Sequence, residues 1–418
     1  MQDTQRSENV YTKQRRIAEL ARQRPQERLT ALNHYLDVEW LTEAYHRVRR
    51  SSAPGVDGQS VSDYGQHLEE NLAGLLHQAK RGSYVAPPVK RVHIPKDGSK
   101  ETRPIGMPTS EDKVLQRAVA MLLEPIYEEA FYDFSYGFRP GRSPHQALEA
   151  FWQQATGHGV RWVLEVDIRK YFDSVNRTNL MALVGQRIGD GVVLRLLSKW
   201  LHAGVMEDGQ VHYPEAGTPQ GGVISPLLSN IYLHEVFDRW FGEVVRERMQ
   251  GGVFAVRFAD DMVIGFTHRK DAERVYRVLF QRFEKYGLKL HPEKTRLVPF
   301  GRPEKGGLDG EPVHEPSTFD FLGFTHYWGR THRHRGMFEQ FKMRVRKLDG
   351  HDAYDGITGH RRCLEQVRAV TQKLWYQWLR RRRREPGGRT WEWMHRMLTE
   401  TFVFPDACGV HSIDGAKS

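Results

Sequence analysis

The chain has 418 residues, a length that predicts two or three domains, and its net charge is +10. Its residues are 39% apolar, 11% aromatic and 27% charged, a composition that excludes disordered and fibrous proteins. The polar N terminus lacks the apolar core of a secretory signal. The sequence contains no run of about 18 apolar residues, so we expect no membrane-spanning helix. Cys363 and Cys408 are too few for a disulfide framework or a zinc finger, so we expect a reducing, intracellular compartment.

The first part of the chain predicts helices around one pair of basic strands. Residues 1–33 are polar with helical spacing, residues 41–50 form a basic amphipathic helix, and SSAPGVDG ends it. A second amphipathic helix is predicted near Val61 to Lys80. PPVKRVHIPKDGSKETRPIGMPT then predicts two short basic strands, and DKVLQRAVAMLLEPIYEEAF a strongly apolar helix. The Gly/Arg loop SYGFRPGRS follows, and Ser143 caps the next helix, with Pro144 at its first position.

The second part mixes strands and helices. RWVLEVDIRKYF begins as a strand, GTPQGG is a glycine loop before a long helix, and VFAVRFADDMVIGF predicts a hairpin. A helix from about Lys270 to Tyr286 and a strand pair ending in FDFLGF follow. Residues 301–316 predict a mobile loop, and from Arg335 the pattern predicts helices only. No strict alternation of strand and helix is present, so the predicted fold class is α+β.

Positive charge is concentrated at the C-terminal end. From Thr331 onward 18 Lys and Arg stand against 10 Asp and Glu, whereas the preceding 330 residues hold 44 against 42. A basic tail domain on a nearly neutral body predicts a polyanionic partner such as nucleic acid, the alternative being a merely solvated surface.

Asp260 and Asp261 stand side by side between two apolar runs. Aspartate is common in tight turns, but a two-residue hairpin favours Asn-Gly or Asp-Gly, and this pair supplies no glycine. Adjacent carboxylates also repel one another unless a cation neutralises them. We therefore interpret the pair as a metal site at a hairpin tip.

A third acid, Asp167, ends the strand WVLEVD, where it would project towards a neighbouring hairpin. Carboxylates suit octahedral magnesium, and two such ions would serve phosphoryl transfer. Glu165 is the weaker candidate, better explained by an ion pair or by solvation. The glycines of GTPQGG would let the backbone approach a substrate, and Lys96, Lys100 and Arg103 would suit a triphosphate, although each cation alone could be a surface charge.

Eight motifs, specific as an ordered set over residues 40–328, resemble the reverse transcriptases of bacterial group II introns. They are APGVDG (53–58), IPKDGSKETRPIGMPT (94–109), SYGFRPGRSPHQAL (135–148), VDIRKYFDSVN (166–176), GTPQGGVISPLLSNIYL (217–233), RFADD (257–261), LHPEKT (290–295) and FLGF (321–324). The resemblance implies an N-terminal helical extension (1–39), right-hand polymerase fingers and palm (40–328) and an all-α thumb or maturase domain (329–418).

The resemblance also implies site residues. Asp167, Asp260 and Asp261 would hold two Mg²⁺ ions, with Lys294 near the leaving pyrophosphate as a possible general acid. Lys96 and Arg103 would bind the triphosphate, and Gln220 would lie beside the nucleotide sugar and the templating pair. Phe172 would be the steric gate against a ribose 2′-OH, or else an ordinary core aromatic. Further implied sets are a primer grip of Phe321, Leu322 and Gly323, and RNA contacts of Arg139, Arg142, Arg380, Arg381, Arg382, Arg383 and Arg384.

The implied function is RNA-directed DNA synthesis in the bacterial cytoplasm, at the nucleoid when the enzyme acts on DNA, with a template RNA, a DNA or RNA primer, and dNTPs. The protein would also bind its intron RNA to assist splicing, without an endonuclease segment after the thumb. Phe258 replaces a more usual tyrosine, Asp355 replaces an aromatic, and LRRRRRE lacks the usual Arg-Ser-Gln ending. Three alternatives are a domesticated enzyme of DNA repair or phage defence, a non-enzymatic splicing cofactor, and a generic metal nuclease.

Overall fold

The computed structural model describes residues 2–95, 102–214, 217, 221–301, 317–333 and 336–345. The chain divides into two compact units. The first comprises Met1–Ile94, Arg103–Leu322 and Tyr327–Phe341, and the second Pro95–Thr102, Gly323–His326 and Lys342–Ser418. Nearly all described residues belong to the first unit, and the three predicted domain limits stay predictions. Within the described ranges, no helix is long and apolar enough to cross a membrane.

Helices dominate the N-terminal part of the first unit. In chain order they are α1 (Gln2–Gln23), α2 (Val38–Arg47), α3 (Val61–Tyr64), α4 (Leu68–Arg81), α5 (Ser110–Glu128) and α6 (Pro144–Gly157). Their starts follow local sequence, since Asp37 and Thr109 cap α2 and α5 through backbone amides, and Ser143 caps α6 as predicted. Helix α5 is buried along most of its length, and α1 and α2 pack against it. The Trp40 indole donates to the Ala118 carbonyl at 2.9 Å, which ties α2 to α5.

The remaining helices surround the central sheet. They are α7 (Tyr171–Ser174), α8 (Arg177–Arg187), α9 (Gly191–Leu201), α10 (Ser225–Leu233), α11 (Arg246–Arg248) and α12 (Arg269–Glu284). Between α10 and α11 the chain stays helical through two π-helical segments, His234–Asp238 and Phe241–Val245. The sequence pattern predicted the helix entered at Ser225 but neither the π-helical segments nor α8 and α9.

The strands form three sheets. They are β1 (Val89–Pro95), β2 (Thr102–Met107), β3 (Trp162–Val166), β4 (Val205–Glu207), β5 (Gln210–His212), β6 (Val253–Phe258), β7 (Asp261–Phe266), β8 (Arg296–Pro299), β9 (Phe319–Phe321), β10 (Phe324–Arg333) and β11 (Gly336–Val345). Their orders are β2-β1-β4-β5, β6-β7-β3-β8 and β11-β10-β9. The mixture of helices and sheets confirms the predicted α+β class.

The second of these, the central sheet, is antiparallel and carries the candidate site at one end. Strand β3 lies in its interior, with Leu164 opposite Ile264 on one side and Leu297 on the other. The side chains of β3 and β7 are largely buried, and α12 packs against β3, β7 and β8. A strand paired on both sides has a fixed register, so the residues at its end are fixed as well.

One predicted element is wrong. The pattern predicted only helix from Arg335 onward, but β11 runs from Gly336 to Val345 and pairs with β10. The reason is visible in FKMRV, where apolar and basic residues alternate with the period of two that a strand requires. The predicted loop 301–316, apart from Gly301, and the thumb helices predicted after Val345 lie outside the described residues.

Candidate active site

The central sheet brings the three predicted carboxylates to one end of its strands. Asp167 directly follows β3, and Asp261 is the first residue of β7. Because Val166 lies opposite Met262 in the antiparallel register, the next pair along the two strands is Asp167 and Asp261. Asp260 occupies the turn beside them. Residues 93 and 94 positions apart in sequence therefore lie at the same end of the sheet, as the sequence predicted.

The hairpin turn differs in detail from the expectation. Phe258 pairs with Asp261, so the two central residues of the turn are Ala259 and Asp260 and not the two acids. Ala259 has a φ of 56°, in the left-handed region that a two-residue hairpin requires at its first central position. Glycine usually fills that position, because a Cβ there is strained by about 1–2 kcal/mol. Surrounding contacts must therefore stabilise this turn.

The electrostatics of the site indicate crowded negative charge. Burial and the nearby carboxylate of Asp167 raise the pKa of Asp260, whereas the positive charge of Arg103 acts to lower it. Such carboxylates are oxygen donors of the kind that a hard divalent cation prefers. Among the described side chains, no group of three or more His, Cys, Asp or Glu is already arranged to hold a metal. The acids are thus neighbours through their strands, and their chemistry fits a cation.

The backbone of Asp167 is fixed by the LHPEKT motif. The His291 amide donates to the Asp167 carbonyl at 2.8 Å, and the Asp167 amide donates to the Thr295 hydroxyl at 3.2 Å. Within the same loop, the Lys294 ammonium lies 3.6 Å from Asp167 Oδ2. Thr295, which the sequence did not single out, therefore helps to position Asp167, and the predicted role of Lys294 at the pyrophosphate stays a prediction.

The described glycines of the GTPQGG loop make close backbone contacts on two sides. A Cβ at Gly217 would lie 2.9 Å from the Phe172 carbonyl oxygen, and one at Gly221 would lie 2.5 Å from the Gly106 carbonyl oxygen on β2. Both glycines also have positive φ. Phe172 is partly buried, with its ring 5.3 Å from that of Tyr171. The loop thus lies against both the candidate gate segment and the strand that carries Arg103.

Comparison with known proteins identifies the family. Residues 94–326, more than half of the chain, match the family described as reverse transcriptase (RNA-dependent DNA polymerase). The chain is 39% identical over 284 residues to the protein YkfC of Escherichia coli K12, covering 60% of this chain and 74% of YkfC. It belongs to the reverse transcriptase family. It is therefore an RNA-dependent DNA polymerase, and the α+β architecture is that of a polymerase domain.

Two further relatives are named as intron proteins, one of them as a group II intron protein. The reverse transcriptase is 38% identical over 224 residues to LtrA, the group II intron-encoded protein of Lactococcus lactis, covering 53% of this chain and 37% of LtrA. It is 31% identical over 235 residues to an uncharacterized 91 kDa protein in the cob intron of Schizosaccharomyces pombe, covering 55% of this chain and 29% of that protein. The predicted family is thereby confirmed, although the chain spans just over a third of LtrA.

Two arginines of the SYGFRPGRS motif have different environments. Arg139 is buried, and its guanidinium donates to the Glu128 carboxylate and, at 2.7 Å each, to the Tyr132 and Ser135 carbonyls. Its donors are committed inside the protein, so the prediction that Arg139 contacts RNA is not supported and we assign it a structural role. Arg142 is half-buried and pairs with Asp133 at 2.7 Å, and its RNA contact stays a prediction.

Other predicted residues fall into three groups. Glu165 is ion-paired with Arg296 and accepts from the Asp320 amide at 2.7 Å, which confirms its structural interpretation. In the primer-grip motif, Phe321 is buried at the end of β9, and the two residues after it have left-handed φ. Outside the described residues lie Lys96, Lys100, Gln220, Arg380, Arg381, Arg382, Arg383 and Arg384.

Sequence reasoning missed the group that supports the hairpin. Arg257 is fully buried one residue before the close of β6, beside Asp238, which is also fully buried. The sequence did carry a signal, because VFAVRFADD places one arginine in an otherwise apolar strand next to two acids. A buried arginine requires a counter-ion, but nothing in the local sequence indicates which acid supplies it.

Proposed function

We propose that this reverse transcriptase is of the group II intron type, that it copies its intron RNA into DNA, and that it binds the same RNA to assist splicing. The observation that supports the catalytic part is the meeting of Asp167, Asp260 and Asp261 at one end of β3 and β7. The similarity to LtrA supports the intron part.

The reaction is attack of the primer 3′-oxygen on the α-phosphate of a dNTP. The new O3′–P bond forms as the bond from that phosphorus to the pyrophosphate oxygen breaks, and the proton of the 3′-OH passes to water. Two Mg²⁺ ions, when bound, would neutralise the attacking and leaving oxygens. The three aspartates would hold these ions, and the surrounding protein would keep their carboxylates close together despite mutual repulsion.

Basic side chains of the protein would bind the triphosphate of the incoming nucleotide. Arg103 on β2 acts electrostatically on Asp260, so its charge reaches the site. Lys96 would assist it. Lys294, 3.6 Å from Asp167 Oδ2, would donate a proton to the departing pyrophosphate.

Selection of the nucleotide would depend on the segment under the glycine loop. Phe172 would block a ribose 2′-OH, and Gln220 would lie beside the sugar and the templating pair. Gly217 lies against the Phe172 backbone, and this contact would fix the position of the Phe172 side chain. Phe321, Leu322 and Gly323 would hold the primer end.

The nucleic-acid partners follow from charge and from the relatives. A template RNA and a DNA or RNA primer would be held in part by Arg142, and in part by the basic residues from Arg380 to Arg384 in a thumb domain. The place of action would be the bacterial cytoplasm and nucleoid. The intron relatives favour this assignment over a repair or defence enzyme.

Primer extension on an RNA template with Mg²⁺ and dNTPs tests the proposal. The double variant Asp260→Ala, Asp261→Ala should lose activity by at least about 10³-fold, since removal of one electrostatic group alone commonly costs 10²–10³-fold. Asp208→Asn is the matched control, because Asp208 is an exposed acid with positive φ in the β4–β5 turn, a conformation that asparagine tolerates. A folded wild type that binds RNA but extends no primer would contradict the polymerase assignment in favour of a splicing cofactor.

A further inference from the structure

A single buried guanidinium contacts the turn that carries the metal-binding acids. Arg257 has no solvent exposure. Its Nη1 donates to the carbonyl of Ala259 at 3.0 Å and to Asn230 Oδ1 at 3.0 Å. Ala259 is the left-handed residue of the turn, directly before Asp260. Arg257 therefore holds the strained backbone from which the catalytic carboxylate projects.

The other donors of Arg257 anchor it to two separate segments. Its Nε and Nη2 form a bidentate pair with the Asp238 carboxylate at 2.7 and 2.5 Å, and Nη2 also donates to the Ser135 hydroxyl at 2.7 Å. Asp238 ends the π-helical segment that follows α10. A π-helical segment shifts the side chains after it relative to a regular helix, and such segments often occur at functional sites.

The same network also fixes the opposite side of the turn. Asn230, which is fully buried, donates through Nδ2 to the Gly137 carbonyl at 2.7 Å. Gly137 lies so close to the turn that a Cβ on it would be 2.2 Å from the Ala259 amide nitrogen. The main chains of Phe134 and Tyr136 exchange hydrogen bonds with Arg257 at 2.8 Å each, so this loop extends the sheet beside β6. The turn is thus held between Arg257 and Gly137.

Stability alone does not account for this arrangement. A buried ion pair is often replaced by apolar side chains of similar volume without loss of stability, because desolvation offsets the attraction. What an apolar pair would not reproduce is a donor aimed at the Ala259 carbonyl. The planar five-donor fork of arginine reaches Asp238, Asn230, Ser135 and Ala259 at once, which the single ammonium of lysine does not.

We propose that Arg257, oriented by Asp238, is a positioning residue of the polymerase: it holds the hairpin so that Asp260 and Asp261 face Asp167 for metal binding. The inference rests on the proposed catalytic function. It assigns no contact with substrate or metal to Arg257. Outer-shell groups of metal sites commonly change metal affinity or activity by about 10–100-fold, and we expect effects of that size here.

The test compares Arg257→Lys, Arg257→Met and Asp238→Asn with wild type, in full-length protein well below each melting temperature. We expect kcat for primer extension to fall by about 10²-fold and the Mg²⁺ concentration for half-maximal activity to rise by about 10-fold, while KM for dNTP changes little. Amide hydrogen exchange in a peptide covering residues 255–266 should be faster in each variant. Arg257→Lys keeps the charge opposite Asp238, so it serves if the methionine variant does not fold.

Arg187→Met is the matched control, because Arg187 also donates to backbone carbonyls, those of Ala21, Arg24 and Glu27, in another part of the chain. It should lower the melting temperature without changing the Mg²⁺ requirement. If the Arg257 variants behave like this control, with wild-type Mg²⁺ dependence and hairpin exchange, the positioning role is refuted. If wild type itself extends no primer, the catalytic proposal fails, and hydrogen exchange still decides whether Arg257 holds the hairpin.

Discussion

The substitution Gly137→Ala should lower the rate of primer extension because the added Cβ would overlap the backbone of the hairpin at Phe258 and Ala259. An added Cβ would lie 2.2 Å from the Ala259 nitrogen, 2.9 Å from the Phe258 carbonyl carbon and 3.0 Å from the Ala259 Cα. All three are backbone atoms of the hairpin that carries Asp260, so no side-chain rotation relieves the overlap. Ordinary van der Waals contact begins at 3.4 Å. The loop that contains Gly137 and the hairpin would therefore have to move apart by about 1 Å.

Two effects of this separation have estimable sizes. Overpacking of this kind costs about 1–3 kcal/mol of folding free energy, and the 2.7 Å bond from Asn230 to the Gly137 carbonyl would be strained as well. A displacement of about 1 Å in a catalytic constellation costs about 10²-fold in rate. Because Asp260 follows Ala259 directly, we expect a loss near that size in kcat.

Steady-state primer extension together with thermal denaturation separates the two effects. Gly185→Ala is the control, since Gly185 lies inside α8 with nothing within 4 Å of an added Cβ, and it should gain about 0.5–1 kcal/mol of stability at unchanged activity. If Gly137→Ala extends primers within about threefold of wild type, our estimate that a 1 Å shift lowers the rate about 10²-fold is wrong.

Two further predictions concern buried acids away from the site. Asp190 accepts five hydrogen bonds, including those from the Leu32 and Asn33 amides, and its pKa is lowered. Asp190→Asn should therefore lower the free energy of unfolding by about 3 kcal/mol at pH 7. In denaturant titrations the difference between variant and wild type should vanish as the pH falls below about 4. Burial raises the pKa of Asp112 to about 6, so ionising it penalises the folded state increasingly as pH rises from about 4 to 6. Asp112→Asn should remove that pH dependence, worth on the order of 3 kcal/mol, and an unchanged profile would contradict this.

Sequence reasoning worked where one residue type and its neighbours decide the outcome. The caps at Ser143 and Pro144, the apolar helix α5 and the strand before Asp167 are all local patterns, and each is present. The like-charge argument for Asp260 and Asp261 indicated a metal site, and that site stays a prediction. It predicted a shared site with Asp167 but misplaced the turn by one residue.

The failures concern hydrogen-bond partners that no local sequence pattern specifies. Arg139 has the sequence context of an RNA contact, and only the fold shows that Glu128 and two carbonyls occupy its donors. Arg257 looked like a strand residue of a motif until Asp238 was placed beside it by a π-helical segment that no pattern predicted. Composition assigns such arginines to the surface, whereas burial with a full set of acceptors makes them structural.

Thr295 and the buried Arg257 suggest how the protein keeps the carboxylates of its candidate active site together. Burial and the neighbouring carboxylate of Asp167 raise the pKa of Asp260, so ionising Asp260 opposes folding when no cation is bound. We infer that two hydrogen bonds offset this cost: the one from the Asp167 amide to the Thr295 hydroxyl, and the one from Arg257 to the Ala259 carbonyl of the hairpin. Bound cations would relieve the same repulsion. Mg²⁺ should therefore raise the thermal stability of the folded enzyme by more than it does in a variant lacking the hairpin acids, because the ions bind the folded state alone.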